Sequence, residues 1–133
     1  MNDQGILIAD RDTTTRRLLA DVLTKAGYRV KTTDSAADVL SDILRKRAHL
    51  ILVGSDFDEK VAAADLIPMI KRCDRNLTII LVADEESLPM VRKIRQEGIF
   101  YHALKPVSAE DGEEIRQVVE CAFKNVVNVL SIH

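Results

Sequence analysis

Tryptophan is absent from this chain, and only three prolines, five glycines and two cysteines occur among its residues. With so few breakers the chain holds no linker and no low-complexity stretch. Cys73 and Cys121 stand far apart, match no Cys-x-x-Cys or Cys/His zinc spacing and fall in segments of helical period, so both read as reduced thiols with structural roles. A large excess of one charge is missing as well: 19 basic residues against 21 acidic ones leave a net charge of −2, which gives no bulk attraction to nucleic acid. Long apolar runs are lacking too. The N-terminus opens Met1-Asn2-Asp3-Gln4 and is apolar only from Ile6 to Ala9, too briefly for a signal peptide or a membrane span, so no membrane partner and a cytoplasmic location are expected.

What the 133 residues do contain is 47% hydrophobic and 30% charged side chains, the balance of a globular domain rather than a disordered chain. That length predicts one domain over 1–133, with a core of about 5–127 and an amphipathic C-terminal helix reaching about 130. Strand-length apolar runs recur at Ile6 to Ala9, Leu50 to Val53 and Leu77 to Val82, with less pure runs at Tyr28 to Val30 and Phe100 to Leu104. The three purest do not alternate, so both of their faces are expected to be covered, as in the centre of a parallel sheet.

Between these runs lie stripes of helical period. Leu18, Leu19, Val22 and Leu23 form the first, with Asp12 or Thr13 as cap and Gly27 as its end; Val39, Leu40, Ile43 and Leu44 form the second. Leu66, Ile67, Met69 and Ile70 mark a third helix that Pro68 threatens to kink or break. Met90, Val91 and Ile94 mark a fourth, with Ser87 as cap, Pro89 in the first turn and Gly98 as the close. The last stripe runs from Ile115 to Leu130 behind a Ser108/Asp111 capping box. Five strands alternating with five helices predict an α/β fold with right-handed crossovers and a five-stranded parallel sheet, doubly wound.

In such a sheet, ligands and chemistry gather where strands end at their carboxyl edge. Five places qualify: Asp10-Arg11-Asp12, Gly54-Ser55-Asp56, Ala83-Asp84, His102, and Lys105-Pro106. An apolar strand running into acids (Ile6-Leu7-Ile8-Ala9-Asp10), and a last strand running into Lys105-Pro106 before a helix, resemble the CheY-like receiver domains of two-component response regulators. Element order and spacing match from about Gly5 to Val127. The resemblance implies a flavodoxin-like fold in which two acids after the first strand hold Mg²⁺, an aspartate ending the third strand takes phosphate, a Ser or Thr follows the fourth, and a lysine follows the fifth. The metal and lysine neutralise charge gathering on the transferred phosphoryl group.

Carried over residue by residue, that set is broken. Asp10 matches the first acid, but Arg11 holds the second acid's place, Gly54 the phosphoacceptor's, Ala83 the hydroxyl's, and His102 that of an aromatic switch residue. The expectation is therefore a pseudo-receiver, not an enzyme. It signals through protein contacts with a histidine kinase or another signalling protein and has no cofactor and no metal; Asp10 and Asp12 are the residual ligand candidates.

Lys105 is expected to pair with Asp10, and Lys105-Pro106 to be a cis bond, as the resemblance implies. Arg11 reads either as a tethered cation in place of Mg²⁺ or as an exposed arginine. His102 reads as a pH switch or as an ordinary strand-end histidine. The resemblance also implies an interaction face built by the fourth helix, fifth strand and fifth helix, open to homodimer formation; Arg92, Lys93 and Arg95 make its helix basic. The alternative is a phosphorylatable receiver using Asp56 or Asp58 as a displaced acceptor with Mg²⁺. A remote third is a flavodoxin-like cofactor-binding protein, against which stands the absence of glycine from Thr13-Thr14-Thr15.

Overall fold

The computed structural model describes residues 4–55, 57, 62–83 and 88–132, with side chains described for all of these except 88, 90, 91 and 125–132. The elements alternate without exception: β1 (Gly5–Ala9), α1 (Thr13–Lys25), β2 (Arg29–Thr33), α2 (Ala36–Leu44), β3 (Leu50–Gly54), α3 (Ala63–Cys73), β4 (Thr78–Ala83), α4 (Leu88–Arg95), β5 (Tyr101–Leu104) and α5 (Ala109–Ile132). All four strand pairings are parallel and the sheet order is β2-β1-β3-β4-β5. Chain order reverses between β1 and β3, so the crevice beyond their carboxyl ends is the natural site.

The sheet is covered on both faces. Leu7, Ala9, Ile51, Val53, Ile79 and Leu81 point toward α2, α3 and α4, where Val39, Ile43, Leu66, Ile67, Ile70 and Ile94 meet them. Ile6, Ile8, Leu50, Leu52, Ile80 and Val82 point the other way, against Leu19 and Leu23 of α1 and Ile115, Val119 and Ala122 of α5. Every residue of β1 and β3 is buried, which is why their sequences do not alternate. Each fully buried Leu or Ile contributes roughly 1.5–3 kcal/mol relative to exposure. This two-sided core holds the strand ends in register.

Local signals set the helix boundaries. Asp12 is the N-cap of α1, its Oδ1 accepting from the Thr14 N–H at 2.9 Å, so of the two candidate caps Asp12 is the one used. Ser35 caps α2 in the same way. Gly27 and Gly98 follow α1 and α4 with φ of +98° and +90°, the left-handed conformation that ends a helix cheaply only at glycine. Ser87 lies outside the described residues; Pro89 falls in the first turn of α4. Pro68 neither ends nor splits α3, which runs through it to Cys73. Apolar burial of Leu66, Ile67 and Ile70 outweighs the single lost ladder bond.

The Ser108/Asp111 pair caps α5 in a modified form. Ser108 Oγ accepts from the Asp111 N–H at 3.4 Å, but the Asp111 carboxylate reaches back to Val107 N–H at 3.0 Å rather than to Ser108. No peptide bond among the described residues is cis, so the expected cis Lys105-Pro106 bond is corrected to trans. Proline lowers the cis penalty without reversing the trans preference, and the trans path already delivers Val107 to its Asp111 acceptor.

Candidate functional site

The carboxyl ends of β1, β3, β4 and β5 bring Asp10, Gly54, Ala83 and Lys105 to one edge of the sheet. Backbone bonds fix them there: Asp10 N–H donates to Thr33 O, Ser55 N–H to Val82 O, and Lys105 N–H to Ala83 O. Asp10 is only 6% exposed. Its Oδ1 accepts from the Asp12 backbone N–H at 2.8 Å, and its carboxylate folds across the end of β3. A Cβ built on Gly54 would lie 2.6 Å from Asp10 Oδ2 and 2.8 Å from Asp10 Cγ. The Asp10 carboxylate therefore occupies the space into which any side chain at position 54 would start.

Burial pushes the Asp10 carboxyl above its ordinary pKa, against the downward pull of the Asp12 N–H and of Lys105. Asp12 moves the other way. Its Oδ2 accepts from Thr15 Oγ1 at 3.1 Å and pairs with Lys105 Nζ at 2.8 Å, which lowers its pKa from 3.8 to about 2. The expected Lys105–Asp10 ion pair is thus corrected to Lys105–Asp12. The reason lies in the cap: as N-cap, Asp12 turns its carboxylate toward the start of α1 with one oxygen left for the lysine, whereas Asp10 is withdrawn over Gly54.

Arg11 is exposed. Arg16, which the sequence reading missed, fastens the loop: its Nη1 donates to the Asp10 carbonyl oxygen at 2.6 Å and its Nη2 to Thr13 Oγ1 at 3.3 Å. One signal could have found it, since residue 16 lies in the first turn of a helix whose cap follows the strand end directly. Ala83 ends β4 buried, with no hydroxyl to offer. Asp56, Asp58 and Asp84 lie outside the described residues.

His102 sits in the edge strand β5, half-buried, with its Nε2 buried and without a hydrogen-bond partner among the described residues. Burial, and then the charge of Arg95, lower its pKa below 6.5. The ring is therefore neutral at neutral pH. Beside it Tyr101 and Phe100 are 39% exposed, Leu104 55% and Val107 88%, an apolar fringe along β5 and its exit that adjoins Arg95 of α4; Arg92 and Lys93 of the same helix are also exposed.

The fold expectation of a Mg²⁺ ion can be tested on these groups. Among the described residues no cluster of three or more His, Cys, Asp or Glu could hold a metal. The acid oxygens at hand accept from Asp12 N–H, Thr14 N–H, Thr15 Oγ1 and the Lys105 ammonium. The described residues do not fit the ion, because a fixed cation and N–H donors already hold the places a metal would take. No described helix is long and apolar enough to cross a membrane.

Comparison with known proteins bears on the fold and the family. Over 123 residues the chain is 29% identical to sporulation initiation phosphotransferase F of Bacillus subtilis, covering 90% of this chain and 94% of that one. It is 30% identical over 125 residues to the DNA-binding transcriptional regulator NtrC of Azospirillum brasilense, covering 94% of this chain but 25% of the relative. The chain thus spans about a quarter of the length of such regulators. Among solved structures, the receiver domain of NtrX from Brucella abortus superposes with a TM-score of 0.79 at 20% identity, covering 90% of this chain and 98% of that one. A CheY-like receiver domain protein from Methanospirillum hungatei gives 0.77 at 23%, covering 92% and 98%. The family model described as the response regulator receiver domain matches residues 6–120, and the chain belongs to that family.

Proposed function

We propose that this receiver works as a pseudo-receiver, a signalling module that acts through protein contacts without accepting phosphate and without catalysing a reaction of its own. The observation that carries the reading is the Asp10 carboxylate lying 2.6 Å from the start of any side chain at position 54, where the family's acceptor belongs. Three further features support it. Gly54 has no nucleophile, Ala83 has no hydroxyl, and Lys105 is engaged by Asp12.

In a receiver that takes phosphate, the added charge shifts a population between two conformers. Here the Lys105–Asp12 ion pair ties the exit of β5 to the start of α1, and the Arg16–Asp10 bond ties α1 to the end of β1. The signal then rests on which partner is present. A histidine kinase or another signalling protein, or a second copy of this chain, would dock on the α4–β5–α5 face, where Leu104 and Val107 supply apolar contact and the basic groups of α4 favour an acidic rim.

Intact-mass measurement after incubation with acetyl phosphate and Mg²⁺ tests the reading. No adduct is expected on the wild type. A labile adduct that disappears in Asp56→Ala or Asp58→Ala would replace this reading with a displaced acceptor and an ordinary phosphorelay role.

A further inference from the structure

His102 stands in the edge strand β5, opposite Leu81 of β4 in the sheet register. Its neighbour Ala103 belongs to the buried cluster that meets α1 and α5. Alternation along the strand therefore turns the His102 ring to the other face of the sheet, toward α4. A hollow there is lined by Arg95, Ile99, Phe100, Tyr101 and His102. The ring is half-buried, and its Nε2 is buried with no hydrogen-bond partner among the described residues.

That setting treats the two charge states of the imidazole unequally. A neutral ring has one N–H and can carry it on Nδ1, leaving only a lone pair at Nε2 without a partner. An imidazolium has an N–H on both nitrogens, so one charged donor would be buried with nothing to accept it. The elements around the ring do not offset this. β4 (Thr78–Ala83) has no titratable side chain, and α4 has no acid, only Arg92, Lys93 and Arg95. The charge of Arg95 works against a proton on His102, as burial does. On its own strand the titratable neighbour is Tyr101, and beyond the strand Lys105 pairs with Asp12. Glu97, in the turn after α4, is exposed. Asp84, Glu85 and Glu86 lie outside the described residues.

We propose that His102 is a pH-operated switch of the α4–β5 face: in mild acid the ring takes a proton, leaves its place between α4 and β5 for solvent, and so changes the surface that a partner meets. The consequence for docking rests on the partner face proposed above; the movement of the ring does not. A module without a phosphoacceptor gains an input in this way. The sign is fixed by the burial. The neutral ring favours the fold above pH 6.5, and that advantage is lost as pH falls through 6.5 toward the lower value of the folded state.

NMR of the imidazole rings and the backbone amides of the full chain, between about pH 8 and pH 5, tests it. The His102 signals, identified by their absence from His102→Gln, are expected to show the Nδ1–H tautomer at the alkaline end and to titrate with a midpoint below 6.5. Nuclear Overhauser contacts from the ring to Arg95 and Ile99 are expected above that midpoint and lost below it, with the amides of Ile99, Tyr101 and Ala103 shifting in step. Those amide shifts should vanish in His102→Gln and persist in His49→Gln, and Arg95→Gln should raise the midpoint. A midpoint at or above 6.5, ring contacts kept in acid, or amide shifts that survive in His102→Gln would overturn the switch. The titration is read without partner or phosphate, so its failure and that of the pseudo-receiver reading are separate.

Discussion

Two neighbouring carboxylates, Asp10 and Asp12, titrate in opposite directions for reasons that lie two residues apart. For Asp12 the folded pKa is about 2, below the ordinary 3.8, so its contribution to stability is present above pH 3.8 and is lost as pH falls toward 2. For Asp10 the folded pKa is raised, so the folded state holds its proton more tightly; that acid favours folding at low pH and loses the advantage as pH rises through its folded value. Replacing Lys105 by Met should return the Asp12 pKa toward 3.8 and flatten the loss of stability between pH 4 and 2, as read by carboxyl carbon NMR and urea unfolding. With the Asp12 side chain 40% exposed, the pair contributes about 1 kcal/mol or less. An unchanged Asp12 titration in Lys105→Met would refute the assignment. A second experiment separates space from charge beneath Asp10. Gly54→Ala only displaces the Asp10 carboxylate and should cost about 1 kcal/mol, whereas Gly54→Asp sets a second carboxylate against a buried one and should cost about 3 kcal/mol at neutral pH, partly recovered in acid. Equal losses at all pH values would mean that charge plays no part. Sequence reading placed Asp10, Gly54, Ala83 and Lys105 correctly at one edge, because strand ends are legible from apolar runs. It chose Asp10 rather than Asp12 as partner of Lys105, because the two acids are close in sequence and only the cap geometry decides between them, and it passed over Arg16 because its acceptor is a backbone carbonyl.

At the scale of elements, α5 packs on α1 where Gly112 lets the two helices approach. A Cβ there would lie 2.8 Å from Val22 Cγ2 and 2.9 Å from Leu18 Cδ2. Alanine at this position gains ~1 kcal/mol of helix propensity and spends much of it in displacing those two side chains. Leucine should lose about 1–3 kcal/mol by overpacking, seen as a lower urea midpoint with an unchanged m-value. A Gly112→Leu variant as stable as wild type would place the helices farther apart than described here. The central strands were plain in the sequence because burial on both faces makes their runs uniformly apolar. The edge strands were less so: β2 begins at Arg29 rather than Tyr28, and β5 at Tyr101 rather than Phe100, since a strand open on one side mixes charged and apolar residues. Pro68 was the other difficulty, a local penalty overridden by packing.

For the molecule as a whole, one sheet covered on both faces predicts a single cooperative unfolding transition, the same by far-UV signal and by tyrosine fluorescence. The proposed reading adds that millimolar MgCl₂ leaves the midpoint unmoved, whereas a site filled at 100 times its Kd would add ~2.7 kcal/mol. A Mg²⁺-dependent rise in the thermal midpoint would point to ligands among residues outside those described. The parallel sheet also has two open sides, and they are finished differently. On the β5 side the surface is apolar enough to invite company.

On the β2 side the outermost strand carries Arg29 and Lys31, and Lys31 turns inward to Asp42, beneath a rim that a neighbouring chain would have to dehydrate before its backbone could join. Natural sheets guard their borders against uncontrolled polymer growth with such inward charges. The Lys31–Asp42 ion pair thus places a charge on the β2 border that a pairing strand would have to dehydrate.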